Sequence, residues 1–313
     1  MGHADQGDGV AHLVDTPGMP LKARPSLSAL DFAHRTPMRI RAFGLKVRDL
    51  DRVAGFYRDV IGLTEYARTR DVARIGVDGV TLLELEHDPA LIPDDRKTAG
   101  LHHTALLMPT RRDLARWIRH AERLGVPFKR VSDHVVTEAV YFDDPENNEI
   151  ECCVDTPPEV WRWTGDDLDI PSTPLDVATL AAADDGSEGY AGAPAGLRIG
   201  HIHLRVGEVG PAQRFYAGIV GFDVTCLRQG VAFMSSGRYH HHFAANVWQS
   251  PGAGPREERR AGLSWFTIET DGAQTFDQVA ARLDASGIVA KSSEGGLEIR
   301  DPWGTRVRIA LAD

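Results

Sequence analysis

The chain has 313 residues, a length for about two domains, and its 42% hydrophobic content suffices for ordinary cores. Its formal charge of −10, with Lys and Arg scattered along the chain, excludes a nucleic-acid-binding protein. No run approaches the roughly 18 apolar residues of a membrane span, and the opening residues MGHADQGDGV lack a basic or apolar leader, so no membrane partner and a cytoplasmic location are expected.

Residues 1–37 read as a poorly ordered arm. After them come four units, over roughly 38–90, 98–155, 198–250 and 260–313, each beginning with an apolar strand: IRAFGLKV, LHHTALLM, IGHIHLRV and LSWFTIET. A helix of period near 3.6 follows, as at Asp113–Leu124 before Gly125, and then short strands broken by Gly, Asn or Asp-Pro turns. The unit is βαβββ, and internal repetition supports it. Asp49 to Gly62-Leu63 returns 159 residues later as Glu208 to Gly221-Phe222, matching Val47 to Val206 and Phe56-Tyr57 to Phe215-Tyr216. Gly100-Leu101 returns as Gly262-Leu263, and Asp144-Pro145 as Asp301-Pro302. Residues 156–197, with PPEVW, PSTP, DDGSEG and AGAPAG, read as a linker between a first pair of units (38–155) and a second (198–313). Cys152 and Cys153 stand together in one strand and Cys226 alone; they form neither a disulfide framework nor a zinc pattern and read as small apolar fillers.

Within the second unit, His134, Val140-Tyr141, Asp144-Pro145-Glu146-Asn147 and Glu151 follow one another at set spacings. This pattern resembles the vicinal oxygen chelate superfamily, and within it the type I extradiol dioxygenases of the catechol 2,3-dioxygenase kind, over residues 38–313. One position departs: Asn147 stands where that family has Gly, whereas the fourth unit keeps Gly304. Both residue types tolerate positive φ, so the turn can survive. The resemblance implies an α+β fold of four βαβββ modules forming two half-barrel domains of the glyoxalase type.

In such a module the first and last strands lie at the centre of a curved sheet, so inward residues on both point into one bowl. That places His103 and Glu151 together. On the first strand of module three, the family pattern HxHLxV puts the ligand at His203, and strand alternation makes His201, on the same face, the second candidate. Two imidazoles and a carboxylate make the facial triad suited to non-haem Fe(II), with Mn(II) the other metal considered. Modules one and four carry Gly44, Trp265 and Arg308 at the matching positions, so the triad is expected from modules two and three, within one chain or by exchange between subunits. A carboxylate inside the apolar run IECCV costs free energy unless it is paired or holds a metal. Glu84 and Glu86, opposite Gly44, read as strand-surface alternation, and His3, His12, His34, His87, His102 and His120 as ordinary solvated or core histidines.

In Tyr239-His240-His241-His242, alternation presents either His241 or the pair His240 and His242 to the bowl, and the family pattern favours His241. Arg205 has Lys46 at its counterpart position and reads as structural. The resemblance implies extradiol cleavage of a catechol-type aromatic diol by O2 to a hydroxymuconic-semialdehyde-type product, with His241 as acid/base and His134 and Tyr141 as hydrogen-bond donors to developing oxyanions. A homo-oligomer is expected. The fold also carries metal-dependent lyases and isomerases of the glyoxalase type and non-catalytic small-molecule-sequestering proteins, so it fixes no reaction by itself.

Overall fold

The computed structural model describes residues 32–293 and 295–312; the arm expected at the N-terminus lies outside them up to residue 31. Module one consists of β1 (Met38–Val47), α1 (Leu50–Asp59), β2 (Thr64–Arg68), β3 (Val72–Val77) and β4 (Val80–His87). Module two follows with β5 (Gly100–Leu107), α2 (Arg111–Arg123), β6 (Arg130–Asp133), β7 (Thr137–Asp143) and β8 (Glu149–Asp155). Short ladders β9 (Trp163–Thr164), β10 (Asp167–Leu168) and β11 (Thr173–Pro174), with α3 (Val177–Ala181), occupy the stretch between the halves. Module three has β12 (Arg198–Arg205), α4 (Val209–Gln213) continued by a π-helical turn Arg214–Val220, β13 (Asp223–Arg228), β14 (Val231–Ser235) and β15 (Phe243–Asn246). Module four has β16 (Gly262–Thr270), α5 (Ala273–Ala285), β17 (Lys291–Ser293), β18 (Gly296–Arg300) and β19 (Arg306–Leu311).

Local chemistry sets the helix starts. Asp49 accepts the Arg52 N–H at the head of α1, and Thr110 accepts the Asp113 N–H at the head of α2, satisfying donors that a helix leaves open. Leu50, Val53, Ala54 and Tyr57 then face inward from α1, and Leu114, Trp117, Ile118 and Ala121 from α2, the spacing of a one-faced helix on a sheet.

The strands form two large curled sheets. One runs β17-β18-β19-β16-β1-β4-β3-β2, and the other β11-β6-β7-β8-β5-β12-β15-β14-β13. Module one therefore closes with module four and module two with module three, so each half-barrel takes strands from both sides of residues 156–197. At each centre two first strands pair antiparallel, β1 with β16 and β5 with β12, flanked by parallel last strands. Two irregularities interrupt each central ladder. Between β12 and β5 they leave Gly200 and His102 without a cross-strand partner; between β1 and β16 they leave Arg41 and Ser264. Gly200 and Arg41 lie 159 residues apart, the offset of the sequence repeat, so the bulges belong to the repeated unit.

The Asp-Pro turns are repeated in detail. Asp144 Oδ1 accepts the N–H groups of Glu146 and Asn148, and Asp301 Oδ1 those of Trp303 and Thr305. Asn147 has φ +66° where Gly304 has +87°, so the left-handed residue survives the change from Gly. Tyr57 of module one reaches Asp144 of module two, and Tyr216 of module three donates to Asp301 of module four at 2.9 Å. These contacts join the modules that the sheets leave unpaired.

Candidate metal centre

The nine-stranded sheet gathers the histidines on its concave face. His103 on β5 and His201 on β12 converge on Glu151 of β8: their Nε2 atoms lie 3.0 and 3.2 Å from Glu151 Oε2 and 3.1 Å from each other. All three side chains are buried. A buried carboxylate facing two buried imidazoles is the arrangement that a divalent first-row metal repays, and two nitrogens with one oxygen fit such an ion.

His203, the ligand expected from the family pattern, has its ring 4.8 Å from that of His103 but is not grouped with Glu151. It lies opposite His103 in the ladder, one pleat beyond His201, and its Nε2 is 2.8 Å from the Asn246 side-chain amide. The second candidate, His201, meets Glu151 instead. His102, read from sequence as an ordinary histidine, is the bulged residue of β5. Its ring lies 5.1 Å from that of His103 and 4.7 Å from that of His203, beside exposed Trp248. Among the described residues two groups thus bring donors within 4.8 Å, His103 with Glu151 and His201, and His102 with His103 and His203. Only the first contains a carboxylate.

Tyr239–His242 forms a turn before β15 and not a strand, so alternation does not govern it. The His241 ring lies 4.1 Å from that of His201. His240 sits behind it, with Nδ1 2.7 Å from His241 Nδ1 and Nε2 3.0 Å from Asp155 Oδ1. His242 points away, to Ser235 and the Ala33 carbonyl. His134 and Tyr141 meet through Nε2 and the phenol oxygen at 2.9 Å, and His134 Nδ1 is 2.9 Å from the Pro171 carbonyl. Tyr141 is the cross-strand partner of Glu151 and its ring centroid lies 5.5 Å from that of His103. Arg205 is buried against Asp94 at 2.5 Å and the Thr98 carbonyl, in keeping with a structural part.

Burial raises the proton affinity of Glu151, but the facing His201 and His103 outweigh it and hold the carboxyl well below its usual range. Burial also pushes His241 well below the ordinary imidazole value, helped by His201 and His240, so it is neutral near pH 7. Tyr141 is driven well above the usual phenol value by burial and then by the Glu151 charge, which keeps its proton available for donation.

In the other sheet the matching positions are filled by an indole and its partners. A Cβ on Gly44 would sit 2.2 Å from Trp265 Nε1. The Trp265 indole lies under the Arg308 guanidinium, 3.7 Å from the ring centre, and donates to Glu86 at 2.9 Å. Glu86 also accepts from Ser264 and Arg306, and Glu84 from Arg74, so neither carboxylate is set aside for a metal.

A sequence model of the Glyoxalase/Bleomycin resistance protein/Dioxygenase superfamily matches residues 39–152 and 198–309. The chain is 33% identical over 267 residues to a catechol-2,3-dioxygenase of Bacillus subtilis strain 168, covering 82% of this chain and 92% of that one. Among solved structures it resembles a putative dioxygenase from Bacillus subtilis, with TM-score 0.60 and 14% identity over 88% of this chain and 86% of the other. It also resembles glyoxalase I from Zea mays, with TM-score 0.51 and 17% identity over 90% and 94%. At these identities the two structures speak for the fold alone.

Proposed function

The chain belongs to the Glyoxalase/Bleomycin resistance protein/Dioxygenase superfamily, and from that membership we propose that it is an Fe(II)-dependent extradiol dioxygenase opening a catechol-type ring with O2. The observation that carries the reading is the convergence of His103, His201 and Glu151 within 3.0–3.2 Å of one another, with the His241 ring against His201. We take His201, in place of His203, as the third ligand. Bound by these three residues, Fe(II) would supply Lewis acidity and an electron path between diol and O2.

The residues around the triad have definable proton states. Asp155 accepts from His240 Nε2, which leaves His240 Nδ1 as an acceptor; His241 must then carry its proton on Nδ1 and expose a lone pair on Nε2. A neutral imidazole so fixed can take a diol proton and return it after ring opening. His134 Nδ1–H donates to the Pro171 carbonyl, so its Nε2 accepts the Tyr141 proton; Tyr141, oriented in this way, can turn that proton to an oxygen on which charge develops. Buried Ala105, Ala139 and Leu107 line the same face and keep water away.

A glyoxalase-type lyase would need a fourth protein ligand, which this family takes from a second carboxylate. The next carboxylate along β8, Glu149, stands on the same face but is held by Lys129 and Arg96, and its nearer oxygen is 4.0 Å from His103 Nδ1, not beside the Nε2 atoms that meet Glu151. The test is an oxygen-electrode assay on anaerobically purified, Fe(II)-loaded protein. One O2 per catechol and a yellow ring-opened product are expected, with no action on a glutathione hemithioacetal. Inertness to every diol together with isomerisation of the hemithioacetal would replace the oxygenase with a lyase.

A further inference from the structure

Arg130, Tyr141 and Glu151 are successive cross-strand partners on β6, β7 and β8. Directly opposed residues share a sheet face, so Arg130 stands in one row with Glu151 on the concave side, two strand spacings or about 10 Å away. The burial pattern agrees. Ala139, Tyr141 and Cys153 belong to the small cluster inside the bowl, whereas Val140, Phe142 and Cys152 pack in the larger core outside it. The Arg130 guanidinium lies 3.8 Å from the centre of the Tyr141 ring, and that ring is in turn next to His103.

The neighbouring cations are already neutralised. Arg96 pairs with Asp143 and Glu149, Lys129 with the same two carboxylates, and Arg205 with Asp94. Arg130 is exposed, and among the described residues no carboxylate pairs with it. Held over the Tyr141 ring, to which it also hydrogen-bonds, this cation keeps its remaining donors at the rim of an aromatic-walled bowl.

Resting on the oxygenase reading above, we propose that Arg130 is a specificity-determining subsite for the carboxylate of an acidic catechol, so that the substrates are dihydroxyaryl acids rather than neutral diols. With both hydroxyls at the triad, the ring would lie beside Tyr141 and His103, and a carboxylate on its far side would meet the planar guanidinium, whose fork matches two carboxylate oxygens. No bond is made or broken at Arg130; it selects and orients.

The test compares 3,4-dihydroxybenzoate and 3,4-dihydroxyphenylacetate with their methyl esters, which keep the ring and remove the charge. Anaerobic calorimetric Kd and aerobic kcat/KM are measured on full-length Fe(II)-loaded protein. The acids should be favoured by about ten- to a hundredfold, the scale of a charge-assisted hydrogen bond. Arg130→Gln should bring acid and ester to within about threefold, and Arg130→Glu should turn the preference towards 3,4-dihydroxyphenylethylamine, a reversal that a merely structural role of the guanidinium could not produce. Equal binding of acid and ester by the wild type, or an unchanged ratio in folded Arg130→Gln, overturns the subsite while turnover of diols keeps the oxygenase. Absence of turnover on every diol, with Arg130-dependent acid binding intact, overturns the oxygenase and keeps the subsite.

Discussion

His201 and His203 differ by two positions in one strand, yet their surroundings are distinct. His201 has a buried carboxylate within 3.2 Å of its Nε2, whereas the same atom of His203 is occupied by Asn246. Purified anaerobically in Fe(II), His201→Ala and Glu151→Ala are therefore expected to carry little iron, and His203→Ala to keep it; metal analysis distinguishes them. Retention of iron by His201→Ala with its loss from His203→Ala would return the site to the arrangement read from the HxHLxV pattern. Behind the triad, His241→Ala should hold iron and bind catechol but cleave it about 100-fold more slowly, the usual scale for a lost acid/base. Asp155→Asn should act in the same direction, because it removes the acceptor that sets the His240 proton.

At the scale of the strand, the bulges explain what the sequence could and could not convey. The repeats, the four modules and the His134–Glu151 signature are all visible as residue spacing, and they led to His103, Glu151 and the β5/β12 pairing. Alternation, however, assumes an unbroken pleat. The extra residue at His102 turns that side chain towards His203, and no property of the string LHHTALL marks which histidine is the extra one. The YHHH run was equally opaque, since a turn gives each of its three imidazoles a separate direction. In the opposite sheet, Gly44 is required by the close approach of Trp265 and not by any turn. Gly44→Ala is expected to cost about 1–3 kcal/mol as overpacking while iron content stays unchanged, to be read as a lower urea midpoint beside metal analysis. Loss of iron in that variant would mean that the two bowls are mechanically coupled.

Across the whole molecule, two kinds of contact alternate around the four modules: sheets join one to four and two to three, and buried Tyr–Asp contacts join one to two and three to four. Burial raises Asp144 and Asp301 to about 6 from 3.8, against the hydrogen bonds that favour their ionised forms. A carboxyl with a raised folded-state value stabilises the fold below its unfolded value and loses that contribution as pH climbs through about 6. Measured by urea unfolding, the stability of wild type relative to Asp144→Asn should accordingly be about 1 kcal/mol greater at about pH 5 than at about pH 7.5. No change, or a change of opposite sign, would mean that the Glu146 and Asn148 N–H groups, the Asn148 side-chain amide and the Tyr57 hydroxyl together keep Asp144 ionised.

The pairing of β1 with β16 also bears on how the chain is made. When module one leaves the ribosome, the strand that must sit at the centre of its sheet has an open edge, and its partner, Gly262–Thr270, is translated more than 200 residues later. At about 5–20 residues per second that edge waits on the order of ten seconds or more, whereas β5 and β12 emerge much closer together. The sheet that carries His103, Glu151 and His201 can therefore assemble while the sheet around Trp265 is still incomplete, and the nascent chain carries its aggregation hazard in the other half.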